Sequence, residues 1–126
     1  MTGNEYQRFA MRTNDGLASE RLTKKLDNHD WTAEDLGGII NACLGLSGEV
    51  GELNDMVKKW IFHESDIDLI HLKKELGDVC WYIAMMCESA GWSLDDVFQM
   101  NVDKLKNRYP EGFDPALSAH RARGDV

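Results

Sequence analysis

The stretch GLSGEVGELNDMVKKW, residues 45–60, decides the fold because it combines a helical apolar pattern with three glycines and two glutamates. Apolar residues recur at intervals of three and four from Leu36 to Ile61, which is typical of an amphipathic helix. Glycine costs a helix interior about 1 kcal/mol relative to alanine. A helix that keeps three glycines beside two carboxylates predicts a face that leaves space for a ligand or lets another helix approach.

Helical spacing continues on both sides of this stretch. Pro110 and Pro115 are the two prolines of the chain, so residues 1–109 are free to be helical. Strand-type alternation is scarce, and four helical segments joined by short loops predict an all-α, antiparallel four-helix-bundle-like fold. We expect a single domain over residues 1–115 and a polar C-terminal tail over residues 116–126.

Several residues are predicted to mark where these helices begin and end. The first segment, residues 4–26, should break near residues 14–16, which are Asn, Asp and Gly. Gly91 should end the third segment. Side-chain caps are expected at Thr32 with Asp35, at Ser65 or Asp66, and at Ser93 with Asp96.

Composition excludes several classes of function. The 126 residues carry a formal net charge of −8, whereas a protein that binds a nucleic-acid backbone needs a basic face. The N-terminus lacks the apolar run of a signal peptide, and no apolar stretch approaches the roughly 20 residues of a membrane span. The three cysteines have no paired spacing, which favours reduced thiols. We therefore expect a cytoplasmic protein without nucleic-acid or membrane partners.

Two pairs of acids lie at mirrored positions about a predicted turn at residues 62–66. Glu49 and Glu52 are three residues apart, so both lie on one face of their helix. Glu75 and Asp78 repeat this spacing in the next helix. If the two helices form an antiparallel hairpin, Glu52 should face Glu75 and Glu49 should face Asp78.

Such a group of acids requires a positive partner. Buried charges have to be paired or bound to metal, and no matching set of lysines lies at the same level. Sites made of carboxylates suit Mg²⁺ or Mn²⁺, and the neighbouring Gly48, Gly51 and Gly77 would leave space for hydrated ions and a bulky ligand. The pattern therefore predicts a metal site, although glutamates three residues apart also cover many solvated helix faces.

The fourth helical segment carries a polar face of its own. Asn101, Lys104 and Arg108 follow helical spacing, so they could hold a polyphosphate or simply form a solvated basic face near a helix end. Tyr82 lies four residues after Asp78 and could contact a nucleoside. The histidines of the central segments are interpreted as turn or surface residues; they are His29, His63 and His71.

The chain resembles the MazG-like nucleotide pyrophosphohydrolases of the all-α NTP pyrophosphatase superfamily. Three stretches carry the resemblance: the quoted residues 45–60, LKKELGDVCWYIAMM (72–86) and NVDKLKNRYPEGF (101–113). The resemblance spans residues 36–114. The family motif is EExxE, a spacer and then ExxD. Glu49 and Glu52 match the second and third glutamates of EExxE. Glu75 and Asp78 match the two acids of ExxD.

The resemblance implies a MazG fold and the hydrolysis of (d)NTP between the α and β phosphates, giving (d)NMP and pyrophosphate. Mg²⁺ is the usual ion, with Mn²⁺ as an alternative, and members typically assemble as dimers or as tetramers of two dimers. Glu49, Glu52, Glu75 and Asp78 would be the metal ligands. The residues that would contact the phosphates or lie near the nucleoside are Asn101, Lys104, Arg108 and Tyr82.

Gly48 stands in place of the first glutamate of the motif, which leaves the number of metal ions and the general base open. We expect Glu49 or Glu52 to bridge metal ions and to accept the proton of the attacking water. A catalytically lapsed nucleotide-binding or interaction module on the same bundle is one alternative. A di-iron carboxylate bundle is another, but it needs Glu-x-x-His pairs, and the nearest match is Asp68-x-x-His71.

Overall fold

A computed structural model of the chain describes residues 1–27 and 35–121. Of these residues 79% are helical, and none of them lies in a β-strand. The all-α prediction is therefore confirmed. The described residues fall into two compact units, residues 1–27 and residues 35–121. The predictions for His29 and Thr32, and for residues 122–126 of the tail, concern residues outside the described ranges.

The first unit consists of two short helices separated by a break. Thr2 and Glu5 form a capping box, in which each side chain accepts a hydrogen bond from the backbone N–H of the other residue. Gly16 has a φ of +73°, a conformation that glycine adopts at little cost. The predicted break at residues 14–16 is thus found. The elements of this unit are α1 (Gly3–Ala10), a 3₁₀ turn (Met11–Thr13) and α2 (Ala18–Asp27).

Two long helices, α3 (Leu36–Phe62) and α4 (Leu69–Ala90), form an antiparallel hairpin in the second unit. Small residues let the two backbones approach each other. Ala42 is fully buried, and a Cβ atom built on Gly45 would overlap the ring of Tyr82. One reason for a glycine in α3 is therefore the close approach of α4.

The caps of the hairpin helices differ in part from the prediction. Asp35 is itself the cap of α3, and its Oδ1 accepts a hydrogen bond from the Gly38 N–H at 3.0 Å. The prediction of Ser65 or Asp66 as the cap of α4 is wrong, because Asp68 occupies that position and accepts from two backbone N–H groups. Gly91 ends α4 as predicted, with a φ of +70°.

Two further helices follow the hairpin. The predicted cap Ser93 does precede the first of them, but its side chain makes no capping hydrogen bond. The second begins at Pro115, after the Asp114 cap, and extends into the predicted polar tail. The helices are α5 (Leu94–Arg108) and α6 (Pro115–Ala119). Among the described helices, only α3 and α4 share an extensive contact, and α5 has no comparable partner among them.

Large apolar side chains remain exposed on the hairpin. Leu44 on α3 is 70% exposed and Trp81 on α4 is 59% exposed, whereas the buried apolar residues of the described chain are small. Exposed apolar surface of this extent is typical of a chain that associates with a partner. None of the described helices is long and apolar enough to span a membrane.

Candidate metal centre

The α3–α4 hairpin brings three of the predicted acids together. Glu49, Glu52 and Glu75 each offer one carboxylate oxygen, and these three oxygens lie within 4.8 Å of one another. The helix period places the first two on one face of α3, and the antiparallel pairing brings the third opposite them. Three oxygens at this separation are close enough to ligate one cation. We call these three residues together with Asp78 the candidate metal centre.

The charges of this cluster act on one another. The pKa of Glu49 is raised, first because the surrounding protein partly removes its carboxylate from water, and second because of the negative charges of Glu52, Asp78 and Glu75. Glu49 and Glu75 are close enough to share a hydrogen bond when one of them is protonated. Asp78, one turn beyond Glu75 on α4, thus contributes to the same negative field.

The residues present fit a divalent cation. Within the described ranges, no lysine forms an ion pair with any acid of the candidate metal centre; Lys24 pairs with Glu20, and Lys58 and Lys59 pair with Asp55. A Cβ atom built on Gly48, Gly51 or Gly77 would meet no other atom within 4 Å. The cluster therefore combines repelling oxygen donors with open space beside them, a combination that suits a hydrated divalent cation.

His71 is a neighbour of this cluster that the sequence interpretation missed. Its Nε2 lies 2.7 Å from Oε1 of Glu75, and the side chain of Glu75 is only 12% exposed. The sequence interpretation assigned His71 to the turn or the surface. The available signal was its position four residues before Glu75, which places the two side chains on one face of α4.

Tyr82 lies on the same helix as Glu75 and Asp78. Its ring packs against the backbone of α3 at Gly45, and it makes an edge-to-face contact with Trp81 at a centroid distance of 5.0 Å. The ring is half-buried. Tyr82 therefore helps to hold the hairpin together, and its predicted contact with a nucleoside stays a prediction.

The predicted phosphate-binding residues lie on α5. Within the described residues, neither Asn101 nor Lys104 forms a side-chain hydrogen bond or an ion pair. The Arg108 guanidinium lies 6.0 Å from the centre of the Tyr109 ring. Among the described helices, α5 has no extensive contact with α3 or α4, the two helices that carry the acids. The role of Asn101, Lys104 and Arg108 in phosphate binding stays a prediction.

The part of the chain that carries this cluster matches a known protein family. Residues 40–113 match the sequence model described as the MazG nucleotide pyrophosphohydrolase domain. This span includes most of α3, all of α4 and α5, and therefore every residue of the candidate metal centre.

The chain is also similar to a phage protein. It is 34% identical over 84 residues to the Gene 37 protein of Mycobacterium phage L5, which covers 63% of this chain and 73% of that protein. The name of that relative indicates no activity. No solved structure gives a significant match to the chain.

Proposed function

We propose, from the premise that this chain belongs to the MazG nucleotide pyrophosphohydrolase family, that it cleaves (d)NTP between the α and β phosphates into (d)NMP and pyrophosphate. The family is metal-dependent in general. The observation that carries the proposal is the convergence of the Glu49, Glu52 and Glu75 carboxylates, without a lysine partner in the described ranges, inside the span that matches the family.

Mg²⁺ is the cation that we propose, with Mn²⁺ as an alternative. Glu49, Glu52, Glu75 and Asp78 would hold it, because Mg²⁺ prefers carboxylates together with substrate phosphates and water. A divalent cation supplies neutralisation of the phosphate charge and activation of the attacking water. Without such neutralisation, the negative charges of the acids would repel the triphosphate.

The side chains of the protein would accept the proton, stabilise the leaving group and bind the substrate. Glu49 or Glu52, which lie beside the open space at Gly48, would accept the proton of the attacking water. Lys104 and Arg108 would stabilise the charge that builds on the departing pyrophosphate. Asn101 would bind the phosphates with them, and Tyr82 would lie near the nucleoside.

We propose that the active form is a homodimer or a homotetramer. The hairpin exposes large side chains such as Leu44 and Trp81, and a second hairpin packed on them would complete a four-helix bundle. A second copy would also give α5 a packing partner, which one chain does not provide among its described helices. Assembly is therefore a means of bringing the basic residues of α5 to the acids.

The proposed substrate is a free nucleotide, and the proposed location is the cytoplasm. A net charge of −8 opposes binding to the backbone of a nucleic acid, whereas a small nucleotide can enter together with cations. The three cysteines, all within the described residues, are free thiols, which supports a reducing compartment.

The test is to incubate the purified protein with a panel of NTPs and dNTPs and Mg²⁺, and to measure pyrophosphate and orthophosphate separately. Glu49→Gln, Glu52→Gln, Glu75→Gln and Asp78→Asn should each abolish Mg²⁺-dependent release of pyrophosphate, because each removes a ligand charge at nearly constant volume. Lys104→Ala should raise KM for the nucleotide, because it removes a phosphate contact.

Glu88→Gln is the matched control, since Glu88 is an exposed acid on α4 outside the candidate metal centre. It should retain wild-type turnover, and far-UV circular dichroism should show the same helix content in all variants. Release of orthophosphate instead of pyrophosphate would contradict the proposal. Nucleotide binding without turnover would favour the lapsed module, which the replacement of an acid by Gly48 keeps as the second candidate.

A further inference from the structure

We propose that His71 is a positioning residue for the candidate metal centre, and that its ring holds the Glu75 carboxylate in the orientation that a divalent cation requires. This inference rests on the proposed function, because it assumes that Glu75 is a metal ligand. It adds a residue that is not itself a ligand and that lies at the start of α4, in its first turn.

The His71 ring makes a short contact with one oxygen of the Glu75 carboxylate. Nε2 of His71 lies 2.7 Å from Oε1 of Glu75; in the proposed arrangement the ring donates to this oxygen, and Oε2 of the same carboxylate would bind the cation. The Glu75 side chain is 12% exposed, whereas that of His71 is 56% exposed. The ring therefore shields one side of a nearly buried carboxylate and approaches it from the solvent side.

The cap of the helix holds the backbone of the residue that carries the ring. Asp68 Oδ1 accepts a hydrogen bond from the backbone N–H of His71 at 3.0 Å, so the residue that carries the ring is held at the first turn of α4. Side chains on a helix lean toward its N-terminus, so Glu75 reaches back toward His71. His71 is thus held through its backbone by the cap and contacts the Glu75 carboxylate through its ring.

Electrostatics explains why Glu75 needs such a contact. Glu49 and Glu52 carry like charges within 4.8 Å of it, and before a cation arrives this repulsion drives the Glu75 carboxylate away from them. A flexible glutamate side chain would then rotate toward solvent. A donor on the far side of the carboxylate restricts this rotation, and loss of such an outer contact typically lowers metal affinity by about 10- to 100-fold.

The experiment is a calorimetric titration of MnCl₂ alone into the nucleotide-free, full-length protein. His71→Leu removes the donor and should weaken Mn²⁺ binding by about 10-fold or more. His71→Gln can still donate from its side-chain amide and should bind Mn²⁺ within about 3-fold of the wild-type protein. His63→Leu, at the exposed C-terminal cap of α3, is the matched control and should bind Mn²⁺ like the wild-type protein.

The outcomes separate this inference from the proposed function. Equal Mn²⁺ affinity in His71→Leu and the wild-type protein would overturn the positioning role, even if pyrophosphate release is found. Weaker binding in His71→Leu with rescue in His71→Gln would support it, even if no nucleotide is hydrolysed. Absence of Mn²⁺ binding to the nucleotide-free wild-type protein would overturn the positioning role, whereas the proposed function is decided separately by the pyrophosphate assay.

Protein stability provides the second readout. A purely structural role of the pair in α4 would lower the melting temperature in EDTA without changing Mn²⁺ affinity, and this result would also overturn the proposal. Should His71→Leu fail to fold, His71→Asn replaces it, because the shorter side chain does not reach a residue four positions later.

Discussion

Replacing Gly45 with alanine measures how closely α3 and α4 approach, and Gly48 supplies the matched comparison. Both glycines lie in the interior of α3, three residues apart. A Cβ atom on Gly45 would overlap the Tyr82 ring, whereas a Cβ atom on Gly48 would meet no other atom within 4 Å. The two substitutions therefore differ in packing while they share the same local change in the chain.

The structure sets the sign and the size of each effect. In both variants alanine should stabilise the helix by about 0.5–1 kcal/mol relative to glycine. At Gly45 the inserted methyl group also forces the ring or the backbone to shift, which costs about 1–3 kcal/mol in a packed interior. The free energy of unfolding of Gly48→Ala should therefore be about 0.5–1 kcal/mol higher than that of the wild-type protein. Gly45→Ala should be the less stable variant by about 1–3 kcal/mol.

Urea unfolding followed by far-UV circular dichroism gives the required free energies, at one fixed protein concentration because assembly would shift them. A third variant, Gly45→Ala with Tyr82→Ala, removes the ring and should recover part of the loss caused by the methyl group. Equal stability of Gly45→Ala and Gly48→Ala would refute the close approach of Tyr82 to α3.

The remaining predictions concern pH and assembly. Burial and the charges of Glu52, Asp78 and Glu75 raise the pKa of Glu49, so this group stabilises the fold below its unfolded pKa, and the contribution is lost as the pH rises through its folded pKa. In EDTA, the stability of Glu49→Gln relative to the wild-type protein should therefore rise as the pH increases above the ordinary pKa of a glutamate, as measured by urea unfolding; a difference independent of pH would contradict this expectation. Light scattering should give the mass of a dimer or tetramer for the wild-type protein and a smaller mass for Leu44→Asp, since that change places a charge on the exposed apolar face; a monomeric wild-type protein would exclude the proposed assembly.

The helices and the acid cluster could be predicted from the sequence because both depend on spacing. The period of α3 places Glu49 and Glu52 on one face, and a short turn places α4 alongside in the opposite direction. Mirrored positions about the turn are then sufficient to predict that Glu75 meets them. Apart from the assumption of an antiparallel hairpin, these rules act locally along the chain.

Caps and side-chain contacts could not be predicted in the same way. Ser65, Asp66 and Asp68 all carry suitable oxygens, and the turn conformation decides which of them meets free N–H groups. The contact between Gly45 and Tyr82 depends on the distance between two helices, and the contact between His71 and Glu75 depends on rotamers. The sequence displays neither of these quantities.

The packing of α5 could not be predicted from the sequence either, for a different reason. Lys104 and Arg108 share a helix face, and that much follows from their spacing. Whether this face meets the acids depends on what packs against α5, and within the described residues the chain itself provides no extensive contact. Sequence patterns within one chain carry little information about a surface that a second copy would cover.

The glycines beside the acids connect stability with the proposed activity. Gly48, Gly51 and Gly77 each weaken a helix by about 1 kcal/mol without any close packing in return, a total of about 3 kcal/mol. A ligand at 100 times its Kd stabilises the folded state by about 2.7 kcal/mol, which is nearly the same amount. A protein that lacks its cation and nucleotide therefore carries both this cost and the repulsion among its acids. Binding would relieve the repulsion and fill the space that the glycines leave open. The cation and nucleotide should therefore raise the free energy of unfolding more in the wild-type protein than in Gly48→Ala.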